Sequence, residues 1–176
     1  MVEHLLIDGY NIINTWGLLE GNDKHSFENA RDKLIDIMHN YRGYTGYRIT
    51  VVFDAYQTDS QKRTIEQNGN VTVVYTKKNE SADVYIERLV NDIMEKAPKK
   101  SRVWVATSDH LQQTIASSKG ALIVSAMELK ADVARCTKDR STRFEAKDER
   151  PNHIFERLSE DKLDMLKKIA EDLQEQ

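Results

Sequence analysis

Leu5-Leu6-Ile7-Asp8-Gly9-Tyr10-Asn11 is a short apolar run that ends in a carboxylate and turns through a glycine to an asparagine. Such a run reads as a buried parallel strand that delivers an acid to its carboxyl end. Three later segments repeat the arrangement. Val51-Val52-Phe53 runs into Asp54, and Val71 to Tyr75 leads through a lysine turn to Glu80 and Asp83. Val103-Trp104-Val105-Ala106 runs into Thr107-Ser108-Asp109. Parallel strands place all their carboxyl ends on one edge of a sheet, where ligands of such folds bind. The acids are therefore expected to meet there around a divalent metal.

Working outward, apolar runs alternate with amphipathic segments. The spacing of Phe27, Ala30, Leu34, Met38 and Tyr41 predicts a helix over 26–42, capped by Ser26 and ended by Gly43 and Gly46. A second helix is expected over 80–97, and a third from a Ser108 cap to about Ser118. Ser125 and Glu128 form a capping box that opens a fourth, running to about Lys138. The segment from Asn11 to Leu19 is a short helix or a loop packed on the sheet, and 55–70 a loop or frayed helix. Strands are expected at 4–8, 48–54, 71–75, 102–106 and 121–124. The fold class is thus α/β, a three-layer arrangement with a central, mostly parallel sheet of about five strands and helices on both faces. Residues 1–140 would form the main domain. Residues 141–176 would add the end of a charged tract (Lys138 to Arg150) and an amphipathic helix from Ser159, packed on that domain or extending it.

Composition narrows the class. A 176-residue chain has room for one core, and 39% apolar with 31% charged residues describes a soluble globular protein, not a disordered one. The net charge of -3 argues against a generally basic nucleic-acid binder. The single Cys136 has no partner for an internal disulfide and reads as a small buried hydrophobe. Neither a secretory leader nor the ~20-residue apolar run of a membrane span is present, so a cytoplasmic location is expected.

Converging carboxylates repel unless they share a proton or bind a cation. All-oxygen ligands favour Mg2+ or Mn2+. Competing chemistries lack their residues: there is no G-x-x-x-x-G-K-[ST] loop, no G-x-G-x-x-G turn and no G-x-S-x-G elbow around Ser108. Tyr10 stands where a phosphoaspartate transferase would carry a second acid, and Ser125 where a receiver domain would carry lysine. Metal-assisted attack on a phosphodiester survives.

Taken together, Asp8-Gly9-Tyr10-Asn11, Phe53-Asp54-Ala55, Glu80-Ser81-Ala82-Asp83 and Thr107-Ser108-Asp109 resemble the NYN branch of the PIN-like nucleases, and most nearly its YacP-like group. The resemblance extends over roughly residues 3 to 140. It implies a PIN-like fold and a metal-dependent endoribonuclease, with mRNA as substrate and the ribosomal A site as the place of cleavage. It implies no DNA substrate and no membrane partner. Carried over, Asp8, Asp83 and Asp109 would bind the metal and Asn11 would orient the phosphate or the attacking water. Glu80 would be an outer ligand or steer that water, and Ser108 would hydrogen-bond within the site. Asp54 would lie near the pocket. Lys77 and Lys78, with Lys62 and Arg63, are placed to meet RNA phosphates. Two other readings stay open: a non-catalytic RNA- or ribosome-binding module and, behind it, a Mg2+-dependent DNA nuclease of similar fold.

Overall fold

Period-two alternation along the strands gives the sheet two apolar faces, and each face acquires its own helices. The computed structural model describes residues 2–21, 23–55, 61–96 and 100–148, with the side chains of the last stretch as far as Lys138. Its strands are β1 (Val2–Asp8), β2 (Arg48–Phe53), β3 (Thr64–Asn68), β4 (Val71–Tyr75), β5 (Ser101–Ala106) and β6 (Leu122–Val124). The helices are α1 (Gly9–Trp16), α2 (Lys24–Thr45), α3 (Ala82–Lys96), α4 (His110–Ser118) and α5 (Ala126–Asp148).

The sheet order is β3-β4-β2-β1-β5-β6, and every pairing except β3 with β4 is parallel. Leu5, Ile7, Val51, Phe53 and Val73 point to one face, where Ile12, Ile13, Leu34, Met38 and Leu129 cover them. Leu6, Val52, Val74, Val103 and Val105 point to the other, beneath Ile86, Val90 and Ala116. Cys136 is buried in the first layer, as a small hydrophobe should be. From β1 the chain moves to β2 and β4 on one side, and later to β5 and β6 on the other. The order reverses beside β1, which opens a crevice at the carboxyl ends of β1 and β5.

Several local expectations are corrected. The sheet has six strands because part of the expected loop over 55–70 is β3, which pairs antiparallel with β4 across a Gly69-Asn70 turn. Gly69 takes φ +57°, a conformation open to glycine and costly for most other residues. The cap of α2 is Asp23, whose carboxylate accepts the Ser26 amide, so Ser26 lies inside the helix. Gly43 is also internal, and Gly46, at φ +74°, ends that helix. The cap of α4 is Asp109, not Ser108. The Ser125–Glu128 box forms as expected, each side chain accepting the other's backbone amide.

Met1–Thr137 is one compact unit and Lys138–Gln176 a second. The expected helix from Ser159 lies outside the described residues, as do the side chains of the charged tract beyond Lys138. Among the described residues no helix is long and apolar enough to cross a membrane.

Candidate active site

Asp8 ends β1 and begins α1 in one step. Its carboxylate accepts the Asn11 amide at 3.2 Å and so caps α1. Helix α1 can start this abruptly because Gly9 has no side chain. A Cβ there would fall 2.2 Å from the Phe53 ring. Phe53 in turn precedes Asp54, so the close approach of Gly9 to Phe53 locks the ends of β1 and β2 together.

Asn11 reaches across the crevice. Its carboxamide oxygen accepts the Ser108 amide at 2.8 Å, tying α1 to the turn between β5 and α4. In that turn the fully buried Thr107 accepts the Asp109 amide on Oγ1 at 3.1 Å. Asp109 caps α4, accepting the Leu111 and Gln112 amides at 2.8 and 3.1 Å. Asp54 accepts the Ala82 amide and holds the first turn of α3 beside β2. That contact presents Asp83, one residue further on. Among the described residues no hydrogen bond or ion pair engages the Asp83 carboxylate.

The electrostatics show that these aspartates converge. The Asp8 carboxyl is pushed up to about 6, chiefly by burial; the Asn11 amide opposes the rise, and the charges of Asp83, Asp54 and Asp109 contribute to it. Burial also raises Asp83, reinforced by Asp109 and Asp54. Asp54 is raised by burial against the opposing Ala82 hydrogen bond. The charges that raise Asp8 and Asp83 are those of other aspartates, so acids from four segments act on one another, with no base among the described residues paired to them.

Glu80 does not belong to this group. Its side chain is 4% exposed and is gripped by Arg63, through Nε at 3.1 Å and Nη2 at 2.5 Å, and by Arg88 at 3.1 Å. Burial opposes its ionisation, but the Arg63 hydrogen bonds, the Lys77 amide and both guanidinium charges outweigh burial and hold the carboxyl below its usual range. Arg63 also lies over the Tyr85 ring, 4.3 Å from its centroid. The oxygens of Glu80, expected to serve as an outer ligand or to steer water, are held by arginines here. Arg63, expected to meet RNA, is likewise committed to Glu80. Lys62, Lys77 and Lys78 are exposed. Sequence reasoning missed Arg88, whose i, i+8 spacing from Glu80 spans the entry into α3, and Thr107, which reads as an ordinary strand-end residue.

Among the described residues no three acidic, histidine or cysteine side chains are gathered closely enough to clasp a metal ion as they stand. The donor set fits a hard divalent cation nonetheless: all its ligand atoms are carboxylate oxygens, and their mutual repulsion is what such an ion relieves.

Comparison with known proteins agrees with this fold. The YacP-like NYN domain family matches residues 5–171. The chain is 43% identical over 129 residues to the uncharacterized protein YacP of Bacillus subtilis (strain 168), covering 73% of this chain and 74% of that protein. Crystal structures of Rae1 (YacP) from Bacillus subtilis, one of a mutant and one not so described, are 37% identical to it with TM-scores of 0.72 and 0.67. The mutant's match covers 86% of this chain and 87% of that one; the other covers 97% of each.

Proposed function

Because this chain belongs to the YacP-like NYN domain family, which is nuclease-like, we propose that it is a metal-dependent endoribonuclease cutting mRNA in the A site of the translating ribosome, in the cytoplasm. The observation that carries the reading is the meeting of Asp8, Asp54, Asp83 and Asp109 at one edge of the sheet with no base among the described residues to neutralise them.

Asp8, Asp83 and Asp109 would hold Mg2+ or Mn2+. Asp8 and Asp109 each spend an oxygen on a helix cap, which fixes the carboxylate plane and leaves the second oxygen for the ion. Asp83 brings both oxygens, and Asp54 positions it through the Ala82 amide. The ion, when bound, offsets charge on the phosphate and makes water a better nucleophile near neutral pH. Asn11 is held by the Ser108 amide through its oxygen, so its carboxamide nitrogen is the end that meets the scissile phosphate. Ser108 acts through that contact, as a positioning residue. Glu80 is a positioning residue too, keeping Arg63 and the Lys77 turn in place. Lys77, Lys78 and Lys62 attract the RNA backbone by charge alone, which carries no sequence information. Attack by water in line with the leaving oxygen does not use the ribose 2′-hydroxyl, so the products carry 5′-phosphate and 3′-hydroxyl ends.

The test is end-mapping of transcripts in a translating extract with intact protein and with Asp8→Asn. Cuts that require Asp8 and leave 5′-phosphates support the reading; 2′,3′-cyclic phosphate ends refute it. One observation favours a second reading, a non-catalytic RNA- or ribosome-binding module: the three aspartates are not drawn into a closed ligand set. Under that reading intact protein binds ribosomes, produces no cuts, and is unaffected by Asp8→Asn.

A further inference from the structure

Beside the aspartate edge, a cavity of about 230 Å3 opens between α3 and α4. Asp83 forms part of its lining, so the cavity begins where the proposed site ends. Its other walls are mainly apolar, from Val84, Ile86, Leu111 and Ile115. Val84 and Leu111 are 50% and 70% exposed, an unusual amount of uncovered hydrocarbon beside a cluster of carboxylates.

The same lining includes Gln112, which is 5% exposed. Neither the nitrogen nor the oxygen of its carboxamide has a hydrogen-bond partner among the described residues. Native folds seldom keep an amide buried with both ends unpartnered, because the desolvation cost is not returned. The backbone of Gln112 is fixed, since its amide donates to Asp109. The side chain is thus rooted on the residue that caps α4, with its donor and acceptor closed off beneath the cavity lining, so a ligand edge meets them only when the side chain turns outward.

We propose that this cavity receives one unstacked nucleobase of the RNA, adjacent to the phosphate held at the aspartates, and that the Gln112 carboxamide turns outward to read its edge. The inference rests on the ribonuclease reading above. A nucleobase matches each feature. It is flat and apolar on its faces, which suits Val84, Leu111 and Ile115. It presents neighbouring donors and acceptors on its edge, which a carboxamide meets in pairs. The volume lies below the roughly 300–1,000 Å3 of pockets for larger ligands, as a site for one ring system should. An RNA strand with its phosphate at Asp83 would bring the neighbouring base to this opening.

The experiment uses the full chain carrying Asp8→Asn, titrated with labelled tetranucleotides of A, C, G or U in separate arms, with and without Gln112→Leu. Cleavage by the intact protein is assayed in parallel. The expected result is a preference for one base that Gln112→Leu reduces by roughly ten-fold, the scale of a lost bidentate base contact. The melting temperature should be unchanged or higher, because the orphan amide is gone. Leu111→Ser alters an exposed side chain, leaves the fold intact, and should weaken all four tetranucleotides. If Gln112→Leu does not fold, the Leu111→Ser arm decides: unchanged binding overturns the pocket. Selectivity that survives Gln112→Leu overturns it as well, while cleavage by the intact protein leaves the ribonuclease reading standing. Failure of all four tetranucleotides to bind overturns the pocket alone; an intact protein that also makes no cuts in the translating extract overturns both.

Discussion

Asn11 and Ser108 lie 97 positions apart, and the carboxamide oxygen of the first accepts the backbone amide of the second at 2.8 Å. This contact spans the crevice between the ends of β1 and β5 and sets the distance from Asp8 to Asp109. Asn11→Ala should cost roughly 1–3 kcal/mol by leaving a partly buried amide without its acceptor. Denaturant unfolding measures the loss. Cleavage by the folded fraction should fall as well, because the two aspartates lose their common brace.

Asp8→Asn should stabilise the metal-free protein. Asparagine caps a helix about as well as aspartate, so the bond to the Asn11 amide persists while the repulsion from Asp83, Asp54 and Asp109 goes. The gain should be roughly 1–2 kcal/mol, a discounted fraction of the 1.36 kcal/mol that each unit of pKa displacement represents. The sign follows from linkage. Asp8 titrates at about 6 in the folded chain against a model-peptide value of 3.8, so between these values the folded state binds the extra proton. Stability therefore falls as pH rises through that window and levels off above it. Thermal melts from pH 3.5 to 7 should show this slope in the parent and a flatter one in the variant. Millimolar Mg2+ should raise the melting temperature of the parent more than that of the variant.

Glu80→Gln should behave in the opposite way. It strips two arginines of their carboxylate in a site where the acid is 4% exposed. Removing one member of a buried pair costs about 3–5 kcal/mol, and the partial exposure of both arginines should reduce this to roughly 2–3 kcal/mol. Turnover of the folded fraction should change far less than in Asp8→Asn. A Glu80→Gln protein as stable as the parent but devoid of activity would return Glu80 to the catalytic set.

Gly9→Ala tests the junction of β1 and α1. The added methyl would meet the Phe53 ring, which also packs edge-on to Tyr10 and stacks on Tyr75. The ring is hemmed in, so the substitution should cost about 1–3 kcal/mol by overpacking. Urea titration followed by tyrosine and tryptophan fluorescence would report it.

The parallel sheet was legible because its central strands are unbroken apolar runs, and Asp8, Asp54 and Asp109 stand at or just past the ends of three of them, whereas Asp83 lies inside α3. β3 was not. All five of its residues are exposed, and Thr64-Ile65-Glu66-Gln67-Asn68 carries no alternation for a buried face to impose. Only Asn68-Gly69-Asn70 announced the turn. The role of Glu80 was also hidden. Its spacing to Asp83 suits one helical face, but α3 begins at Ala82, so Glu80 precedes the helix and turns toward Arg63, which precedes β3, and Arg88 within α3. The caps Asp23 and Asp109 were passed over because a serine stands close to each, and local spacing alone does not choose between two competent oxygens.

Both borders of the sheet make poor templates for a further strand. On one side β3 presents an exposed, mostly polar row that includes Glu66 and Gln67 beside a single apolar Ile65; on the other, β6 is only three residues long. Edges so short or so hydrophilic discourage lateral recruitment of extended chain, whether a nascent peptide or another copy. A protein with this topology can work amid unfolded polypeptide at high local concentration without being drawn into cross-strand aggregates.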